Sequence, residues 1–148
     1  MESTSARATA GLDTHPDIME LRARYERAAA APLAQLADGL VFLTGLYLAI
    51  SPWVAGFAGL RSLAVNDLIT GVALALVGAG LASAYGRTHG IAWVAPVVGV
   101  WTIITPWVIR GGIAAQASAG TIANNVAVGA VAVVAGLAAM SVAALSRR

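Results

Sequence analysis

The sequence contains no cysteine and very little charge. Without cysteine there is no disulfide framework, no thiolate nucleophile and no cysteine-based metal site. Charged residues make up 11% of 148 positions, against about 25% in soluble domains. They are also unevenly placed. Ten of the sixteen fall within the first 38 residues, leaving only Arg61, Asp67, Arg87, Arg110, Arg147 and Arg148 for the rest. So few polar side chains cannot cover a water-facing surface, which excludes a soluble globular domain.

Lysine is missing as well: all nine basic residues are arginine, they are dispersed along the chain, and the net charge is only +2. A nucleic-acid partner is excluded, because such a surface gathers its basic residues on one face. The two histidines, His15 and His89, have no metal-ligand partner three or four residues away. There is no phosphate loop, nucleophile elbow or HExxH motif. The expectation is therefore a protein that is not an enzyme, with no catalytic residue, no cofactor and no metal.

Long apolar runs are what the sequence does have. Uncharged stretches cover 39–60, 68–86, 90–109 and 111–146. About 20 residues at 1.5 Å each cross a hydrocarbon core roughly 30 Å thick. The first three stretches fit one span apiece. The fourth opens with a polar, glycine-rich segment and leaves a single span. The runs are continuous rather than alternating, which excludes a membrane β-barrel. The expected fold is all-α: a polytopic membrane protein with transmembrane helices at about 36–54, 66–86, 91–108 and 123–145.

Residues 1–15 read as a disordered tail. Residues 16–31 suggest a short amphipathic helix on the cytoplasmic membrane surface or docked to a partner. Thr14 is its candidate cap, Pro16 lies in its first turn, and Glu20/Arg24 and Arg22/Glu26 are opposite charges at i,i+4. A thin apolar stripe runs through Ile18, Leu21, Tyr25 and Ala28. Pro32 is expected to separate this helix from the first span. With four spans, both termini and the loop holding Arg87 share one side, which then carries seven arginines against Arg61 and Arg110 on the other. The positive-inside rule places the termini in the cytoplasm and the chain in the plasma membrane.

The second half repeats the first. Gly45-Leu-Tyr-Leu-Ala-Ile-Ser-Pro-Trp-Val54 aligns with Gly99-Val-Trp-Thr-Ile-Ile-Thr-Pro-Trp-Val108 at an offset of 54. Asn66-Asp67 aligns with Asn124-Asn125 at an offset of 58, as do Gly71 with Gly129 and Gly78 with Gly136. The change of offset places a four-residue insertion in the second hairpin loop. The repeats are therefore 33–88 and 89–146. Because each holds two spans, they are expected to be related by a pseudo-twofold axis along the membrane normal.

Ser51-Pro52-Trp53 and Thr105-Pro106-Trp107, each followed by an asparagine in the next span, resemble the SPW repeat family of bacterial membrane proteins over about residues 35–145. The resemblance implies a four-helix integral membrane protein of two hairpins. It brings no known activity and no functional residues. The second copy departs by Thr for Ser and by Arg110 where the first has Gly56.

The motif has its own chemistry. Pro52 frees the carbonyl of Leu48, and Pro106 that of Thr102. In lipid a freed carbonyl must be satisfied, and the Ser51 and Thr105 hydroxyls are placed to bond the carbonyls of Tyr47 and Trp101. Two readings stand. The motif ends and anchors a span with its tryptophan at the interface, or it kinks a helix around a ligand cavity. Asn66-Asp67 and Asn124-Asn125 likewise suit helix N-termini, or form a shared polar cluster in which Asp67 pairs with Arg61 or Arg110. Gly71/Gly78 and Gly129/Gly136, seven residues apart, are expected to form helix-packing faces. Asp38 is expected to pair at the membrane interface with Arg87 or a tail arginine. No ionisable residue is expected near the centre of a span, which argues against an ion-coupled transporter.

The expected function is a structural or accessory membrane protein, surrounded by lipid and either homo-oligomeric or bound to a membrane-protein partner. The alternative is a small permease, channel or lipid-binding module with a pocket near the outer leaflet at Tyr47, Trp53, Trp101 and Trp107.

Overall fold

Apolar sequence without β-branched alternation or turn signals for some 20 residues at a time forms helix, because only helix satisfies every backbone group within one segment. The computed structural model describes residues 16–83, 89–109 and 116–145. Among these there are four α-helices and no strand: α1 (Pro16–Val54), α2 (Arg61–Ser83), α3 (Val94–Val108) and α4 (Ala119–Leu145). A single 3₁₀ turn, His89–Ile91, precedes α3. Three segments are long and apolar enough to cross a membrane: Pro32–Val54, Arg61–Ser83 and Ala119–Val142. The fourth, α3, has 15 residues, or about 22 Å.

Four boundaries differ from those read in the sequence. Helix α1 runs unbroken through Pro32. A proline removes one hydrogen bond, and the alanines before it are the strongest helix formers. Helices α2 and α4 begin five and four residues before the expected starts at 66 and 123, at Arg61 and Ala119. In α4 the reason is visible: Ser118 caps the helix, its Oγ accepting from the Thr121 backbone N–H at 3.1 Å. Helix α3 begins later than expected, at Val94, because 89–91 wind as 3₁₀.

The chain divides into two units, Met1–Leu33 and Ala34–Arg148. In the first, residues 16–33 are helical, with Met19 and Leu33 exposed. The expected tail at 1–15, the Thr14 cap, the charge pairs and apolar stripe of 16–31, and the loops bearing Arg87 and Arg110 lie outside the described residues or side chains.

In the second unit, α3 packs against both α4 and α2. The core draws on all four helices: Val41, Leu74, Ala95, Ala132 and Ala135 are buried together. Val41 and Ala95 occupy equivalent repeat positions, as do Leu74 and Ala132. The first repeat supplies the large side chain each time and the second the small one, so volumes interlock rather than collide.

Candidate functional site: the polar boundary between the repeats

Within each hairpin the glycines bring backbones into contact. A Cβ on Gly45 would collide with the backbones of Ala75 and Gly71, and one on Gly71 with those of Ala49 and Gly45. In the second hairpin a Cβ on Gly99 would meet Gly129 O at 2.7 Å, and one on Gly129 would meet Gly99 O at 2.6 Å. Gly78 lies against Phe42 and Gly136 against Pro96. These are the same contacts shifted by the repeat offsets, and they allow the close approach that membrane helices use for van der Waals packing. The four packing glycines thus face the partner helix of their own hairpin.

The Pro-Trp segments close α1 and α3. Helix α1 ends at Val54 and α3 at Val108, two residues after Pro52 and Pro106. Both prolines are fully buried, while Trp53 and Trp107 are exposed. Ser51 Oγ donates to Leu48 O at 2.9 Å, which is the carbonyl that Pro52 deprives of its helical partner. This corrects the expected bond to Tyr47. Thr105 Oγ1 donates to Trp101 O at 2.5 Å, as the spacing suggested. After α1 the chain turns through Gly56 at φ 79°, and Phe57 N–H donates to Pro52 O at 2.8 Å. A left-handed glycine with this six-residue bond is the Schellman ending of a helix. The equivalent position in the second copy, Arg110, is outside the described residues.

The asparagines do not cap helices. With α2 starting at Arg61 and α4 at Ala119, Asn66-Asp67 and Asn124-Asn125 lie in the second turn of each helix. They form the boundary between the repeats. Tyr47 Oη on α1 donates to Asn124 Oδ1 on α4 at 2.9 Å. Trp101 Nε1 on α3 donates to Asn66 Oδ1 on α2 at 3.0 Å. Tyr47 and Trp101 are repeat equivalents, and so are Asn124 and Asn66, so each repeat offers an aromatic donor to the other's asparagine. Sequence reasoning placed Tyr47 and Trp101 by a possible pocket. Their shared position in the G-x-[YW] pattern was the signal that they act alike.

Beneath this clasp lie Asp67 and Asn125, both with 0% exposure. Asn66 Nδ2 donates to Asp67 Oδ1 at 3.2 Å, and Asn125 interacts with the same carboxyl from the other repeat. Asn125 Nδ2 also donates to Thr121 O at 3.2 Å. Asp67 Oδ2 and Asn125 Oδ1 are buried without a hydrogen-bond donor. The expected pairing of Asp67 with Arg61 is not formed: Arg61 is exposed and the carboxyl is engaged by amides. Nor is Asp67 peripheral, since it is the seventh residue of α2, about 9 Å from its start. Asp38 is also buried, at 2% exposure, and engaged; Arg87, its expected partner, lies outside the described residues.

Beside the clasp, Leu43, Thr44, Tyr47, Asn124, Ala127, Val128 and Val131 line an open groove of about 390 Å³ between α1 and α4. Its Thr44 hydroxyl is turned back onto Leu40 O at 2.6 Å, so its walls are apolar apart from Tyr47 and Asn124.

Comparison with known proteins adds one match. The sequence model of the SPW repeat domain matches residues 35–139. No curated protein and no solved structure matches the chain.

Proposed function

The chain belongs to the SPW repeat family, and on that premise we propose that it is a non-enzymatic integral membrane protein with a structural or accessory role, self-associating or held in a larger membrane complex. The observation that carries this reading is the reciprocal clasp. The bonds Tyr47–Asn124 and Trp101–Asn66 tie helix to helix across the repeats. The repeat glycines are engaged within hairpins, so a partner meets the outward faces that carry Leu43, Leu46 and Ile50 or Val134 and Leu137, all exposed. Native mass spectrometry from mild detergent tests it. Oligomers or a stoichiometric membrane partner are expected, and a strict monomer that co-purifies with nothing sinks it.

In this reading α3 is the fourth span. Its 15 residues are extended by the 3₁₀ turn before them, and a short span is accommodated by local thinning of the bilayer. The pseudo-twofold axis along the membrane normal is supported by the matching glycine contacts and by the exchanged aromatic–asparagine bonds. The cytoplasmic termini and plasma-membrane location rest on the arginine distribution. The helical segment 16–33 then lies on the cytoplasmic side of the membrane.

The groove between α1 and α4 favours a second reading, a lipid-binding module or small permease. Its size and apolar lining suit an acyl chain, and it runs from the middle of α1 and α4 to Tyr47 and Asn124, in the half of the bundle that carries the Pro-Trp segments. A bound lipid that survives delipidation in the native chain and is lost in Val131→Trp, which fills the groove, is the expected result under this reading.

A further inference from the structure

Burying a carboxylate among membrane helices costs several kcal/mol unless its charge is balanced and its lone pairs are met. Asp67 is wholly buried in the bundle, and its interactions are with the amides of Asn66 and Asn125. Amides supply hydrogen bonds but no charge. Two oxygens on these touching side chains, Asp67 Oδ2 and Asn125 Oδ1, have no donor. The two residues stand at equivalent repeat positions, and the Asn125 side chain reaches the Asp67 carboxyl across the boundary between the hairpins.

We propose that Asp67 and Asn125 form a site for one small monovalent cation at the boundary between the repeats. The chemistry of the donor set selects the ligand. Carboxylate and amide oxygens suit hard cations. One acid balances one positive charge, whereas a divalent ion would leave a net charge inside the bundle; no group of three metal-binding His, Cys, Asp or Glu side chains occurs among the described residues. A water molecule would satisfy both oxygens but leave the negative charge of Asp67 unbalanced. A proton on Asp67 Oδ2, donated to Asn125 Oδ1, is the competing way to satisfy both, and it predicts dependence on pH without dependence on the cation. The clasp formed by Tyr47 and Trp101 with the neighbouring asparagines holds the two oxygen-bearing residues in place from above. The site joins one residue from each repeat, so cation binding couples the hairpins to one another. This goes beyond the accessory role, which requires no bound ion.

The test is the thermal unfolding midpoint of the whole chain in dodecyl maltoside at one ionic strength, at an acidic and at an alkaline pH. It is measured in the chlorides of lithium, sodium, potassium and the bulky cation N-methyl-D-glucamine. A saturable rise with one alkali cation is expected, of about 5–10 °C at a hundredfold excess over Kd. Equilibrium binding of radioactive sodium, or of rubidium in place of potassium, is expected to reach one ion per chain. Asp67→Asn, which copies the residue of the second repeat, should fold and lose the rise. Asn125→Ala should weaken binding at least tenfold. Equal midpoints in all four salts overturn the proposal. So does a midpoint that follows pH but no alkali cation, or a cation effect retained in both variants.

Discussion

Tyr47 donates its phenolic hydrogen to Asn124 Oδ1 at 2.9 Å, joining the first helix of one repeat to the second helix of the other. Trp101 and Asn66 make the exchanged bond at 3.0 Å. Two partners that each offer an aromatic donor at the same repeat position and an asparagine acceptor make a self-complementary contact, the logic of a twofold dimer interface carried within one chain.

Each clasp bond should therefore contribute similarly. Tyr47→Phe with Asn124→Ala, and Trp101→Phe with Asn66→Ala, form two double-mutant cycles. Each coupling energy should be about 0.6 kcal/mol and no more than about 1.7, the range of side-chain hydrogen bonds between membrane helices. Unfolding in mixed micelles measures both. A coupling near zero in either cycle removes that bond from the account.

Gly45→Ala and Gly99→Ala should both destabilise the chain, by roughly 1–3 kcal/mol, because each new methyl meets backbone that cannot rotate away. Gly80→Ala is the control. Nothing lies within 4 Å of a Cβ there, and alanine in an open helical position gains about 0.5–1 kcal/mol. Thermal scans in one detergent rank the three.

Ser51→Ala should cost about 1–3 kcal/mol by leaving the Leu48 carbonyl buried and unpartnered. Pro52→Ala restores a backbone donor to that carbonyl. In the Pro52→Ala background the serine substitution should thus cost markedly less. Equal costs in the two backgrounds would show that the hydroxyl is not standing in for the missing N–H.

Gly56 has open space around it but a φ of 79°. Gly56→Ala should destabilise the first hairpin by about 1–2 kcal/mol through backbone strain alone. Gly59, equally open and without that backbone angle, should accept alanine within about 0.5 kcal/mol. Paired melting curves distinguish conformational from steric cost.

Topology is tested by single cysteines in this cysteine-free chain. Those at Ser62 and Ser118 should react with an impermeant thiol reagent added outside intact cells. One at Thr88 should react only after lysis.

The pairing of helices was legible in the sequence because offsets of 54 and 58 superpose one hairpin on the other, and a glycine seven residues from another must share its face. The site was less legible. Asn66-Asp67 and Asn124-Asn125 look like helix caps when the apolar run after them is taken as the helix. The polar Arg61 and Ser62 and the helix-disfavouring Gly120 obscured the earlier turns. Moving the helix start upstream carries the same residues from a terminus to an interior face. Likewise, hydropathy alone did not separate Ile91, Ala92 and Trp93 from α3, since all three are apolar; Ile91 closes the 3₁₀ turn and the helix starts at Val94.

Composition by itself determined that this chain is helical and made for lipid, since charge so sparse leaves no other solvent and lipid permits no unpaired backbone. Repetition determined that it is built twice over. Which side chains the two copies offer each other was decided only by the tertiary structure. The clasp of Tyr47 with Asn124, its counterpart at Trp101 and Asn66, and the buried meeting of Asp67 with Asn125 depend on where four helices begin and how they turn about their axes. Those are properties of packing between distant segments, and no local pattern contains them.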